Sequence, residues 1–359
     1  MTADTRPVLI TGGAGFIGAN LADRLAGDGH AVLVYDALSR PGVERNLAWL
    51  RARHGDRIRD VTADIRDADR LTLAAREAKA VFHLAAQVAV TTSLADPRED
   101  FEVNIAGTFN LLEALRGSRT PLVFASTNKV YGDLADMEFE SRDGAWLPAD
   151  AAVRTHGISE TRPLDFHTPY GCSKGAADQY VLDYARSFGV PAAVLRMSCI
   201  YGQRQMGTED QGWVAHFLIR AIEGRSVTLY GDGRQVRDVL DVRDAVDAYV
   251  RAWENIDRVA GRAFNLGGGP DNAVSLRQVI AEIGALLGRE VAVDFSDWRA
   301  GDQRWFVADT RAAEAALGLQ PKRSWREGIA ALAQWLAEER GIPLGRSSEP
   351  EPRVQAVAT

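Results

Sequence analysis

A doubly wound α/β fold on a parallel sheet, with a smaller discontinuous lobe towards the C-terminus, is the fold class this sequence predicts. Three observations carry the expectation. Short apolar runs alternate with helical patterns through the first half of the chain. Each run is apolar throughout, as strands buried on both faces require. A glycine-rich turn joins the first run to the first helix, and strand–helix alternation implies right-handed crossovers within one Rossmann-type sheet.

The strand runs are Val8-Leu9-Ile10, Ala31 to Tyr35, Ala80 to Leu84, Leu122 to Ala125 and Ala192 to Leu195. Phe16 to Ala26 and Val103 to Leu115 carry apolar residues at helical spacing. The pattern loosens after Tyr201. Val227 to Tyr230 reads as a short strand ending in Gly231-Asp232-Gly233, and Arg237 to Ala252 as a strand and helix returning to the main sheet. Phe264-Asn265-Leu266 is a further strand, and Ser275 caps a helix through Leu287. The expected division is a dinucleotide-binding domain at 1–198 and 237–262, a substrate lobe at 199–236 and 263–340, and a disordered tail at 341–359. That tail is Ser/Glu/Pro-rich from Leu344 onward and lacks an apolar period.

The 359 residues are 46% apolar and 25% charged, an ordinary globular balance with ample core. Lys plus Arg is 42 against 49 Asp plus Glu, a net charge of −7, which argues against nucleic-acid binding. Cys172 and Cys199 have no metal-ligand spacing with histidine, so no metal is expected and both read as free thiols of a reducing compartment. Met1 to Pro7 lacks a signal peptide's apolar run, and no stretch is long enough to span a bilayer. A cytoplasmic protein with no membrane partner is the expectation.

Gly12-Gly13-Ala14-Gly15-Phe16-Ile17-Gly18 lies between the first strand and the first helix. Gly12 suits the tight turn, Gly15 the approach of a pyrophosphate, and Gly18 close helix–strand packing. The phosphates then meet free N–H groups at the helix N-terminus. Asp36 ends the second strand, where a carboxylate accepts from the adenosine ribose and repels a 2′-phosphate, favouring NAD over NADP. Arg40 is the counter-signal, outweighed because Asp36 ends the strand itself. Ser39, Arg40, Asp64, Ile65, Leu84, Ala85, Ala86, Gln87, Asn104 and Ser126 complete the expected NAD site. His83, between apolar neighbours, reads as a core residue.

Tyr170-Gly171-Cys172-Ser173-Lys174 sets a tyrosine and a lysine one helical turn apart. An ammonium there lowers the phenol pKa and makes tyrosine usable as a base. The run Ala125 to Gly132 offers a hydroxyl, Ser126 or Thr127, at the carboxyl end of a strand.

Together these motifs resemble the extended short-chain dehydrogenase/reductases, in particular the NAD-dependent sugar-nucleotide epimerases and dehydratases, over Val8 to about Trp335. The resemblance places the catalytic hydroxyl on Thr127 and the catalytic pair on Tyr170 and Lys174, with NAD tightly held and recycled. Ser126 to Gly132, Pro163 to Tyr180, Gly207 to Trp213 and Asp302-Gln303-Arg304 resemble the CDP-tyvelose (CDP-paratose) 2-epimerase group within it.

By the same resemblance, Arg237 and Arg299 hold a nucleotide diphosphate, and guanidinium groups suit that task. Asn128, Gln203, Arg204, Gln211 and Trp213 are candidates to meet sugar or base. Cys199 falls where 4-epimerase relatives often carry asparagine. The implied reaction is epimerisation through a transient ketone, at C2 of a CDP-sugar. A UDP-sugar 4-epimerase is the alternative. A 4,6-dehydratase is disfavoured because Asn128 and Lys129 replace that group's Asp-Glu pair. An NAD-sensing scaffold is the non-enzymatic alternative. Relatives pair two helices into a homodimer or homotetramer, with Val103, Gly107, Leu111, Ala177, Val181 and Ala185 as the candidate stripes.

Overall fold

The computed structural model describes residues 4–299, 301–320 and 322–344. Seven parallel strands form the main sheet, in the order Arg262–Leu266, Ala192–Met197, Leu122–Thr127, Ala80–His83, Val8–Thr11, Val32–Asp36 and Ile58–Thr62. The chain order reverses beside Val8–Thr11. In an open α/β sheet that reversal leaves a crevice at the carboxyl ends of the strands, where ligands bind.

Successive side chains of a strand point to opposite faces. Val8 and Ile10 therefore join one core, with Leu21, Leu25 and Tyr249, while Leu9 joins the other, with Leu111, Phe124 and Val181. This two-sided burial explains the continuous apolar runs. Phe16–Gly27 and Val242–Glu254 cover the first face; Ala68–Glu77, Gly107–Leu115 and Thr168–Phe188 cover the second. Thr168–Phe188 has Pro169 in its first turn, where no N–H is needed, and ends at Gly189 in the left-handed region.

In the lobe, Val236–Asp241 pairs with Cys199–Tyr201, Ala273–Ser275 and Trp305–Phe306, and Val227–Tyr230 pairs with Val293–Ser296. The helices Trp213–Ile222, Leu276–Leu287 and Trp325–Arg340 close over a second core. Ser275 does cap its helix, in a reciprocal box with Gln278.

Several expectations need correction. The strand within Arg237 to Ala252 belongs to the lobe sheet, and only the following helix packs on the main sheet. Phe264-Asn265-Leu266, expected in the lobe, lies in the edge strand of the main sheet. Both swaps cross the 237–262 and 263–340 boundaries. Gly341 caps the last helix, and Ile342 and Leu344 pack on the lobe core. The rest of the expected tail, 345–359, lies outside the described residues. Gly107, Leu111, Ala177 and Val181 are buried, the last three in their own domain's core, so they offer no stripe to a partner.

Candidate active site

One cavity of about 640 Å³ runs from the glycine turn, past the ends of the main strands, into the lobe. Gly12, at φ +70°, begins the turn, and a Cβ there would meet the Ala85 backbone nitrogen at 2.7 Å. A Cβ on Gly18 would meet the Gly12 carbonyl oxygen at 2.2 Å. In front of Gly15, by contrast, only the Gly12 oxygen comes within reach of an added Cβ, at 3.1 Å. The helix that starts at Phe16 has no side-chain cap, which leaves its first N–H groups for a phosphate. Asp36 is fixed by N–H donation from Ala14 (3.0 Å) and Leu38 (2.9 Å), and lines the cavity with Ser39 and Arg40. These residues fit a dinucleotide with a free ribose diol.

Phe16, Ile17, Asp64, Ile65, Leu84, Ala85, Ala86 and Ser126 also line the cavity. The Asp64 carboxylate is already engaged by Arg66 at 2.6 Å. Gln87 and Asn104 stand behind the wall. Asn104 lies in a π-helical turn, a feature frequent at functional sites. It accepts from the Gln87 N–H (2.9 Å) and donates to Ser173 Oγ (3.0 Å), which donates on to the Tyr170 carbonyl (3.2 Å). Asn104 thus ties the loop after the fourth strand to the helix that carries Tyr170. His83 is buried between the hydroxyls of Thr11 and Thr108, and burial holds its pKa down near 3, as befits a neutral core residue.

The two hydroxyls differ in their partners. Ser126 donates to Asp178 at 2.7 Å, a carboxylate that also takes a two-pronged contact from Arg196 (2.9 Å each). Thr127 lines the cavity with Tyr170; its hydroxyl donates to Asn128 Oδ1 at 3.3 Å and accepts from the Lys129 N–H at 3.2 Å. Burial pushes the Tyr170 phenol up to about 12, while the Thr127 contact pulls it down. Lys174 is buried one turn later, its ammonium 4.2 Å from the Phe124 ring centroid. Burial lowers its pKa to about 7, against the pull of Asp178 and Asp100. Cationic charge brought near a buried phenol favours its ionised form.

On the lobe side, Asn128, Cys199, Gln211, Trp213, Arg237 and Arg299 line the cavity. Asn128 donates to Gln303 at 3.3 Å, and Trp213 donates its indole N–H to Cys199 Sγ at 3.5 Å. Arg237 pairs with Asp302 at 2.5 Å. Arg299 stacks on Tyr230, 3.8 Å from the ring centroid, and donates to the Glu209 carbonyl at 3.0 Å. Gln203 and Arg204 do not join them. Arg204, at φ +68°, turns away to stack on Trp49 (3.9 Å) beside Trp335, and the Gln203 carbonyl accepts from Asn20. Lys129, Glu209, Tyr230 and Asp302 line the cavity without having been singled out as site residues from sequence. Glu209 and Asp302 lie inside the two lobe stretches that carried the resemblance.

The fold and this site define a nicotinamide-dependent enzyme that works on an alcohol carbon. A sequence model of the NAD dependent epimerase/dehydratase family matches residues 8–267, and the chain belongs to that family. It is 41% identical over 337 residues to CDP-paratose 2-epimerase of Salmonella typhi, covering 91% of this chain and 98% of that protein. It is similar to the crystal structure of Thermotoga maritima UDP-glucose 4-epimerase with UDP-glucose, with TM-score 0.80, 30% identity, and 93% and 99% of the chains covered. UDP-glucuronic acid 4-epimerase of Bacillus cereus, solved with UDP-glucuronic acid and NAD, is also similar, at TM-score 0.80 and 26% identity over 93% and 99%. No helix among the described residues is long and apolar enough to cross a membrane.

Proposed function

We propose that this enzyme inverts C2 of a CDP-linked dideoxyhexose, CDP-paratose to CDP-tyvelose or a close relative, through a transient 2-keto sugar. The observation that carries this reading is the residue pair after Thr127. Asn128 is spent on Gln303, and Lys129 is a cation, so the catalytic turn offers no carboxylate to drive elimination of water. That leaves removal and return of hydrogen at one carbon. The 41% identity to a CDP-paratose 2-epimerase supports C2 and cytidine over the C4 and uridine of the other relatives.

Tyr170 takes the proton of the sugar hydroxyl and returns it to the reduced ketone. Thr127 holds the same oxygen by hydrogen bonding, and Lys174 stabilises the phenolate. NAD, when bound, supplies the hydride acceptor and donor. Arg237 and Arg299 hold the diphosphate while the ketone turns over. The free thiols Cys172 and Cys199 suit a reducing, cytoplasmic compartment.

We also propose a homodimer built on Gly107–Leu115 and Thr168–Phe188. Phe109 and Tyr180 stand exposed on these helices with ring centroids 6.0 Å apart, and Phe188 is exposed at the end of the second. Incubation with CDP-, UDP- and GDP-sugars, read by NMR for the inverted carbon and run without added NAD, tests the reading. Inversion at C4 of a UDP-sugar, with CDP-sugars inert, would replace it by the 4-epimerase alternative.

A further inference from the structure

Lys129 is a charged group of the cavity that the proton chemistry leaves unused. It lies in the short 3-10 turn after Thr127, with its side chain half-buried. Its Nζ donates one hydrogen bond, to the Gly301 carbonyl at 3.0 Å. An ammonium has three donors. Among the described residues the other two find no acceptor, and no carboxylate comes within ion-pair distance.

The neighbourhood sharpens this. Asp302 is the carboxylate that most favours the charged lysine, yet it is committed to Arg237. Arg237 itself spends another donor on the Val236 carbonyl at 2.7 Å. Lys129 therefore has as its main carboxylate neighbour one that pairs with Arg237, and Asp133 acts on it more weakly than Asp302, so its ammonium stands without a paired carboxylate next to Thr127. Arg299, also in the cavity lining, is held by Tyr230, Glu209 and Asp210. Burial lowers the Lys129 pKa, as expected of an ammonium whose counter-charge arrives from outside.

We infer that Lys129, beside Arg237, binds the sugar-linked phosphoryl group of the nucleotide-sugar substrate. An uncompensated ammonium gains more from an anion than from a neutral hydroxyl, and its place beside Thr127 selects the phosphoryl group nearest the sugar. Held there, the phosphoryl group is a fixed pivot about which the keto sugar turns its other face to the site. The inference rests on the proposed nucleotide-diphosphate substrate, and on neither the base nor the carbon inverted.

Calorimetric titration of the NAD-loaded enzyme with CDP and with CMP tests it, since the two differ by that phosphoryl group. Lys129→Met is expected to weaken CDP by about tenfold to a hundredfold and to leave CMP unchanged, while Lys129→Arg recovers most of the CDP affinity. Equal weakening of CDP and CMP would overturn the inference. So would unchanged CDP affinity with lost turnover, which would direct the ammonium to the sugar. UDP and UMP are titrated in parallel. If UDP binds where CDP does not, the cytidine reading fails, and the UDP/UMP difference tests Lys129 in its place.

Discussion

The helix Thr168–Phe188 carries both Tyr170 and Lys174, and a four-residue spacing sets them on one face. Replacing Tyr170 with Phe is expected to cut turnover about 10²- to 10⁴-fold while NAD stays bound, measured as nucleotide released on denaturation. Loss of NAD together with activity would make Tyr170 a binding residue only. Lys174 adds a pH signature. Its pKa falls to about 7 by burial, against an ordinary lysine value of 10.5. Between those values the unfolded chain holds a proton that the NAD-free folded protein lacks, so stability rises with pH across that window. Lys174→Met should flatten the rise, seen as Tm against pH. Thr127 and Ser126 were not separable from sequence, because both line the cavity and only the fold shows that the Ser126 hydroxyl is spent on Asp178. Arg204 misled for a similar reason. Its left-handed backbone turns the side chain outward onto Trp49, and no local signal marks that.

The strand–turn–helix at the start of the chain was the most readable element, since its glycines answer to backbone geometry alone. A methyl on Gly18 has nowhere to go but into the Gly12 carbonyl. Gly18→Ala should cost about 1–3 kcal/mol of stability in urea unfolding, and weaken NAD in titration. The strand Ile58–Thr62 escaped notice because it lies at the sheet edge, where Arg59 is exposed and breaks the apolar run. The buried Asp178–Arg196 pair also gave no sequence signal, as its partners come from a helix and a strand. It pins the Ser126 end of the catalytic strand to the catalytic helix. Asp178→Ala strands Arg196 in the core and should cost about 3–5 kcal/mol, with activity falling alongside. Unchanged stability would mean that water replaces the carboxylate.

At the scale of the molecule, the parallel sheet was readable because both its faces are buried, whereas the interleaving of sheet and lobe was not. Val236–Asp241 and Arg262–Leu266 are both short strands of mixed polar and apolar residues, and pairing partners far away in sequence assign them to opposite bodies. The dimer follows the same logic. The apolar stripes seen in sequence largely serve the domain's own core, and the residues left outside are the aromatic ones. Light scattering should give twice the chain mass, and Phe109→Glu with Tyr180→Glu should give the monomer. The central claim is that hydrogen leaves and returns at C2 of a CDP-sugar without exchanging with water. The direct measurement is the conversion of CDP-paratose in D₂O, followed by proton NMR. The account predicts an inverted C2 that keeps its protium; deuterium at C2, or a product inverted at C4, would contradict it.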